Sequence, residues 1–555
     1  MAEQSQESHQ RPGGGDRTRE SRGLLANLRI VSLCTLLSRV FGLCRDIAMA
    51  SLFGAGSVMD AFSLAFRVPN AARKLFGEGA VTAAFLPVLV ETLTSSGREK
   101  ARSVATAVFV GLAEFLLLLT AAALVPLLLA LLYLPMSPDL RLLLELTAIL
   151  APYTILICLT AQICAVLHVL REFFWPAFLP VLLNLIWIAA VALAAYSSHD
   201  AREQIQIVSW CVIVAGVVQL GIAATVQSRC GLPPSPQWRE SLPELRRVTL
   251  AVLPVIVGVT IAQVNAIIDS MIAWAVSAPE GGSSQGGRIA GLPALVDSGT
   301  AAALYFAQRM YQFPMGVFGV ALGTVLFPRL SEHIQRGQVS AARDDINFGI
   351  RMALAIGLPS SVGLMLLAYP ITRLLFEHGQ FNAADARLTS HMIAAYGPAV
   401  WSTITLLIAQ RGFYAAGDRI TPMNIGLVAV AANLLLSLTL VVPAGGVGLA
   451  IASTGSLTLQ AVQTTLRLQR DLGRFDWHRV LVTGLRTVAA TAAMSVAVLV
   501  ALWLFPSGDA FAERCLSVVL PVFAGAAVFM GTARLIGLRE PWYLLRRADS
   551  DDLAD

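Results

Sequence analysis

The sequence predicts an all-α polytopic membrane protein, and three observations support this fold class. Hydrophobic residues make up 56% of the 555 residues, charged residues make up 14%, and the mean hydropathy is +0.69. A soluble domain would carry about a quarter charged residues. Fourteen apolar segments are long enough to cross the hydrocarbon layer, which takes about 20 residues. Lys and Arg also concentrate in alternate loops, as they do when those loops face the cytoplasm.

The fourteen segments follow one another through short loops, so we expect no soluble domain on either side. In chain order they are 25–53, 57–93, 103–134, 140–170, 176–197, 205–228, 247–277, 299–330, 346–376, 384–415, 420–443, 446–466, 480–505 and 512–537. Residues 1–22 precede them and are rich in Gln, Gly and Arg. This composition predicts a disordered cytoplasmic tail and no cleavable signal peptide.

The basic residues predict the orientation of the chain. With the N-terminus inside, 28 of the 40 Lys and Arg residues fall on the inner side and six on the outer side. This bias predicts an even number of crossings and cytoplasmic termini, with residues 541–555 as the second tail. The other six bases lie within apolar segments: Arg39, Arg45, Arg67, Arg73, Lys74 and Arg309.

Short sequence matches indicate an internal duplication. Pro87-x-Leu89-x-Glu91 recurs 241 residues later as Pro328-x-Leu330-x-Glu332. Ala161-Gln162 and Ala409-Gln410 each precede a proline that opens a segment containing an asparagine, Asn184 or Asn433. Such repeats build many transporters, which bind substrate between the repeats. The sequence therefore predicts two six-helix lobes, 23–228 and 247–470, around a central cavity. A proline-rich cytoplasmic linker, 229–246, joins them, and two further helices follow within 471–540.

Charged residues inside the first segment point to a wet interior. Each ionised group near a bilayer centre costs about 2.5–3.5 kcal/mol, so Arg39, Arg45 and Asp46 need water or partners there. One interpretation is a cavity that binds an anion. The alternative is a buried ion-pair cluster that fixes helix packing.

The second segment adds Arg73 and Lys74 beside a bend at Pro69 and Gly77. Several bases in one wet site favour phosphate, which guanidinium groups bind through two parallel hydrogen bonds. Glu78 either neutralises Lys74 or gates the site by exchanging partners. Asp60 lies near the outer end of the segment, where water can solvate it. In the second lobe, Arg309 stands one residue from the position that corresponds to Arg67, so it can supply a cation from the opposite side.

Asp269 and Asn265 lie one helical turn apart and form a candidate sodium or proton site. The seven cysteines form no C-x-x-C pair and have no histidine at zinc spacing, which predicts buried structural thiols. The sequence has no nucleotide-binding loop and no hydrolase motif. We therefore expect no enzyme activity and no organic cofactor, and coupling to an ion gradient or to the membrane potential. No basic and aromatic pattern indicates nucleic-acid binding.

Five stretches resemble the MurJ (MviN) lipid II flippases of bacterial peptidoglycan synthesis. They are SRVFGLCRDI, FGAGSVMDAF, FRVPNAARKLFGEGAVTAAFLPVL, PMGVFGVALGTVLFPRLS and FYAAGDRITP. This family belongs with the MATE exporters and the polysaccharide flippases. The resemblance covers residues 25–540 and implies fourteen helices, with the last two forming a groove for the lipid tail.

The resemblance also implies site residues and partners. Residues matching positions essential in the family are Arg39, Arg45, Asp60, Arg73, Glu78 and Arg309. Lys74 departs from the family's Arg-Arg pair, and Asp269 matches an acid that binds sodium in some relatives. The implied substrate is lipid II, flipped by a monomer in the bacterial inner membrane, with membrane lipids and the cell-wall synthesis machinery as partners. Rival interpretations are a flippase for another polyprenyl-pyrophosphate-linked glycan, a MATE-like exporter, a membrane-embedded transferase and a scaffold.

Overall fold

The computed structural model describes residues 14–77, 80–279, 286–289 and 291–544, and this part of the chain is almost entirely helical. The helices are α1 Gly14–Phe53, α2 Ser57–Ala72, α3 Ala80–Ser95, α4 Gly97–Tyr133, α5 Pro138–Val169, α6 Phe174–Ser197, α7 Ala201–Arg229, α8 Leu242–Ala275, α9 Thr300–Pro314, α10 Val320–Gln335, α11 Val339–Leu366, α12 Ala368–Leu375, α13 Ala383–Tyr396, α14 Ala399–Ala415, α15 Ile420–Leu472, α16 Trp477–Leu504 and α17 Phe511–Leu535. We call α1–α7 the first lobe and α8–α15 the second lobe. The inner end of each helix is the end nearer the linker 229–246, and the outer end is the opposite one.

The helices follow the predicted segments in order, which confirms the all-α membrane fold. Within the described ranges, nine helical stretches are long and apolar enough to cross a membrane. One of them, α15, has 53 residues and covers two predicted segments. Its helical geometry breaks at Gly445, where φ is 56° and a side chain would be strained. The total of fourteen crossings stays a prediction.

Both lobes interrupt their second crossing in the same way. A π-helical turn, Arg73–Gly77, lies between α2 and α3, and a second one, Met315–Gly319, lies between α9 and α10. A proline precedes each turn, at Pro69 and at Pro314. Proline removes a backbone donor and displaces the helical hydrogen-bond ladder, which favours such a bulge. The matching positions support the duplication inferred from the sequence.

Two predicted non-helical regions are partly helical. Helix α1 begins at Gly14, so residues 14–22 are not the disordered tail that the sequence predicts, while residues 1–13 lie outside the described part. The linker contains a 3₁₀ turn, Trp238–Ser241, and α8 begins at Leu242. Arg102 of α4 donates to the Pro234 carbonyl at 2.9 Å. The linker is therefore anchored to the first lobe.

The α16–α17 pair is attached to the second lobe at both ends. At the inner end, Glu540 pairs with Arg351 of α11 at 3.2 Å and accepts from Thr483 of α16 at 2.9 Å. At the outer end, Arg514 of α17 donates to the Glu377 carbonyl at 2.8 Å. The apolar side chains on the far face are exposed, with Phe523 70% accessible, as suits a surface in lipid. The predicted lipid-tail groove on these helices stays a prediction.

Candidate functional site between the two lobes

Asp46 of α1 joins the two lobes. Its Oδ1 accepts from Arg45 Nε at 3.1 Å and from Arg45 Nη2 at 2.7 Å. Its Oδ2 lies 3.6 Å from Nε of Arg309, which comes from α9 in the second lobe. Tyr305 completes the contact, because its hydroxyl donates to Asp46 at 3.4 Å and accepts from Arg309 at 3.1 Å. One carboxylate thus bridges two guanidinium groups from opposite lobes.

Arg45 is held entirely by the first lobe. Its side chain is 9% exposed, its Nη1 donates to Asn184 Oδ1 at 3.0 Å, and it stacks 4.7 Å above the Trp187 ring. All three guanidinium nitrogens therefore have protein partners. This geometry fits the ion-pair alternative for Arg45, whereas the Arg309 side chain keeps 35% of its surface accessible.

Two more arginines of the first lobe contact the same stretch of the second lobe. Arg39, which is exposed, donates to the Gly316 carbonyl at 3.4 Å. Arg67 donates to Gln308 Oε1 at 3.0 Å. Arg67 and Gln308 stand 241 residues apart, which is the spacing of the sequence repeat, so equivalent positions of the two lobes meet. The repeat in the sequence indicates that Arg309 lies within one residue of the position equivalent to Arg67. It does not identify Gln308, which is the residue that Arg67 contacts.

The predicted phosphate-binding pair lies in the first π-helical turn. Arg73 and Lys74 are both half-buried, and Arg73 donates to Asn70 Oδ1 at 3.3 Å within its own helix. Arg73 lies six positions after Arg67, about 9 Å along a helix. Glu78 lies outside the described residues, and so does its predicted pairing with Lys74.

Asp60 is not part of this cluster. It lies thirteen residues before Arg73, about 20 Å along the helix axis. Its side chain is fully buried, which differs from the expectation that water solvates it. It accepts hydrogen bonds from the backbone nitrogens of Gly299 at 2.8 Å and Ala302 at 2.7 Å. The carboxylate therefore caps the start of α9, where the helix dipole favours negative charge.

Asp269 forms a separate polar site inside the second lobe. It is buried and accepts from Asn433 Nδ2 at 2.8 Å, from Ser437 Oγ at 2.9 Å and from Ser453 Oγ. The Oδ1 atoms of Asn433 and Asn265 are both buried and accept no hydrogen bond from the described residues. Carboxylate, hydroxyl and amide oxygens are the ligands that hard cations prefer. Rotating the Asn433 amide would turn its oxygen towards the carboxylate, so these residues fit a small cation.

Asp418 lies two residues before the start of α15 and caps that helix. Its Oδ1 accepts from the backbone nitrogens of Ile420 at 2.9 Å and Thr421 at 3.0 Å. Burial favours the neutral carboxyl, but the hydrogen bonds from Thr421 and Ile420 outweigh it, so the pKa of Asp418 lies below its usual value. It acts as a helix cap outside the Asp269 site.

Hydrogen bonds connect Arg67 of the first lobe to Tyr396 of the second lobe. The Tyr396 hydroxyl accepts from Gln308 Nε2 at 3.1 Å, and Gln308 in turn accepts from Arg67. Arg67 is therefore linked to α13 of the second lobe through two hydrogen bonds.

Comparison with known proteins identifies the family. The profile described as "Lipid II flippase MurJ" matches residues 49–514. The chain belongs to this family. A probable lipid II flippase MurJ of Rhizobium tropici is 33% identical over 514 residues, covering 91% of this chain and 92% of the relative. The corresponding protein of Haemophilus influenzae is 30% identical and covers 91% and 98%.

Solved structures show the fold that MurJ family members share. A lipid II flippase MurJ in an inward closed conformation superposes with a TM-score of 0.72 at 22% identity, covering 93% of this chain and 99% of that chain. An inward-facing multidrug resistance MATE transporter of the MOP superfamily gives 0.61 at 13% identity, covering 80% and 97%. The likeness to MATE transporters is a likeness of fold.

In the sequence, Asn184 and Asn433 stand out only as markers of the repeat. In the structure each binds a charged group on the first crossing of its lobe, Arg45 on α1 and Asp269 on α8. The signal was present, because each asparagine stands at a matching place after a proline in an apolar segment. Equivalent asparagines thus bind a basic side chain in the first lobe and an acidic side chain in the second lobe.

Proposed function

We propose that the protein flips lipid II, the polyprenyl-pyrophosphate-linked peptidoglycan precursor, from the inner to the outer leaflet of the bacterial inner membrane. The observation that carries this proposal is the cluster of bases where the lobes meet. Arg39, Arg45, Arg67 and Arg309 gather there, and Asp46 is the one carboxylate paired with any of them in the described ranges. Relatives that match most of the chain are named lipid II flippases.

The pyrophosphate would bind by exchange with Asp46. Arg309 is 3.6 Å from Asp46 and partly exposed, so an incoming diphosphate can compete for it. Arg39 makes one long bond to a carbonyl and has donors left for an anion. When the diphosphate binds, it substitutes for Asp46 as the bridge between lobes. Contacts between the lobes then depend on substrate, as alternating access requires.

We propose sodium as the coupling ion, because the residues around Asp269 in the second lobe fit a small cation. Asp269, Ser437, Ser453 and the amide oxygen of Asn433 would hold it, with Asn265 as a further ligand one turn away. A bound cation would neutralise Asp269 and free its serine and asparagine partners from donating to it. The termini would face the cytoplasm, and the protein would act as a monomer.

Translocation of fluorescent lipid II in reconstituted vesicles tests the proposal. The wild-type protein should move the lipid across the bilayer, and Arg39→Ala and Arg309→Ala should abolish this without unfolding the protein. Arg141→Gln is a matched control, because Arg141 forms an exposed pair with Glu145 at the outer face. Transport by both alanine variants at the wild-type rate would reject the cationic site. Transport only of another pyrophosphate-linked glycan would reassign the substrate and leave the site in place.

A further inference from the structure

A buried arginine lies where the outer ends of the two lobes meet. Arg288 belongs to the segment between α8 and α9, and its side chain is 0% exposed. Its Nη1 lies 2.9 Å from Asp60 Oδ2, and its Nε lies 3.4 Å from Asp139 Oδ2. Its Nη2 donates to Ser298 Oγ at 2.8 Å. Both carboxylates belong to the first lobe, so Arg288 connects the lobes through two ion pairs.

The described residues next to Arg288 are hydrogen-bonded to the end of α8. The Arg288 backbone nitrogen donates to the Ser277 carbonyl at 3.0 Å, and Ala278 donates to Val296 at 3.0 Å. The arginine is therefore held from its own backbone. A fixed backbone directs the guanidinium into the interface at a small cost in entropy.

The charges on the two sides are complementary. The first lobe contributes two carboxylates, Asp60 from α2 and Asp139 from the start of α5. The second lobe contributes the Arg288 cation and the backbone nitrogens at the start of α9, of which that of Ala302 donates to Asp60. Nearby, the Gln380 nitrogen donates to the Ser51 carbonyl at 2.8 Å, also across the lobes. The outer ends are thus joined by several polar contacts, and Arg288 is buried among them.

We propose that Arg288 is a positioning residue of the transport cycle, whose ion pairs with Asp60 and Asp139 hold the outer ends of the lobes together and separate when the pathway opens outward. This role rests on the alternating access of the proposed function. A buried ion pair gains little net free energy, because desolvation offsets the attraction. Water rehydrates all three charges on opening, so such a contact can close tightly and still open again.

Removing the cation should favour the open state. Without Arg288, Asp60 and Asp139 stay together as like charges in a site that excludes water, which is unfavourable. Separating the lobes relieves this repulsion by hydrating both groups. Arg288→Gln should therefore raise the ratio of outward-open to outward-closed protein by about tenfold or more, which corresponds to about 1.4 kcal/mol or more. Arg288→Lys keeps the charge and should restore most of the closed population.

Distance measurements between spin labels test this proposal. Labels at His199 and Ala384, exposed at the outer ends of the first and second lobes, report the separation in full-length protein whose seven native cysteines are replaced. In lipid nanodiscs, Arg288→Gln should add a longer-distance population that the wild type lacks. Arg141→Gln, an exposed arginine of the same face, should leave the distribution unchanged. If the role of Arg288 were purely structural, Arg288→Gln would lower the melting temperature without adding that population.

Two results would overturn the proposal. One is a folded Arg288→Gln protein with the wild-type distance distribution. If that variant does not fold, Ser298→Ala decides, because it removes one partner of Arg288 and leaves every charge in place. Ser298→Ala should shift the distribution in the same direction by a smaller amount, and no shift would reject the role. The labels report conformation whether or not lipid II is the cargo, so failure of the vesicle assay is a separate result.

Discussion

Arg309→Gln should weaken substrate binding much more than it lowers the stability of the protein. Arg309 lies 3.6 Å from Asp46, and its side chain is 35% exposed. An ion pair open to water in this way contributes about 1 kcal/mol or less to folding, and the bond to Tyr305 adds about 1 kcal/mol. Glutamine keeps most of the length and removes the charge. We therefore expect the free energy of unfolding to fall by no more than about 2 kcal/mol.

The loss in binding should be larger. A guanidinium that grips a diphosphate makes two charge-assisted hydrogen bonds, each contributing about 1.5–3 kcal/mol. Losing both corresponds to at least about a hundredfold rise in the Kd for lipid II. For Arg45→Gln we expect the larger effect on stability. Arg45 is buried against Asp46, and breaking such a pair costs about 3–5 kcal/mol of stability.

Binding of a short-chain fluorescent lipid II to protein in nanodiscs, together with thermal unfolding of the same samples, measures both quantities. The expected pattern is a large loss of affinity with a small loss of stability for Arg309→Gln. An affinity within threefold of the wild type would refute the assignment of Arg309 to the pyrophosphate. The same affinity loss in Arg141→Gln would show that any loss of positive charge weakens binding.

Two further substitutions test other parts of the account. A Cβ at Gly316 would lie 2.6 Å from Arg39 Nη1. Gly316→Ala should therefore displace the Arg39 guanidinium and slow transport, while the protein stays folded. Transport at the wild-type rate would show that the contact between Arg39 and Gly316 is dispensable. Asp269→Asn should abolish the rise in melting temperature that sodium chloride produces over choline chloride in the wild type. An equal rise in both proteins would place sodium elsewhere, and no rise in the wild type would remove the proposed coupling.

The sequence predicted the fold well because its signals are local or periodic. The length of each apolar segment fixes a helix, and Pro87 and Pro328 mark the same crossing in both lobes. Arg39, Arg45 and Arg309 could also be identified as site residues, because a charged side chain inside an apolar segment has a high free energy in lipid.

The pairings of these residues could not be predicted because they depend on how the lobes pack. Asp46 and Arg309 are 263 positions apart, and no local pattern joins them. Arg288 counted only as one base in an outer loop, and Asp60 as a solvated acid, although the two are buried against each other. Sequence position gives the depth of a residue in the membrane but does not give its partner across an interface.

Magnetic dipolar coupling between the pyrophosphate phosphorus of bound lipid II and ¹³C-labelled arginine guanidinium groups is the most direct test of the proposed site. Solid-state NMR on the protein in lipid can assign the coupled signals by comparing Arg39→Lys and Arg309→Lys with the wild type. The account predicts that phosphorus couples to arginines of both lobes and that each variant removes one signal. Coupling confined to one lobe, or unchanged in both variants, would contradict it.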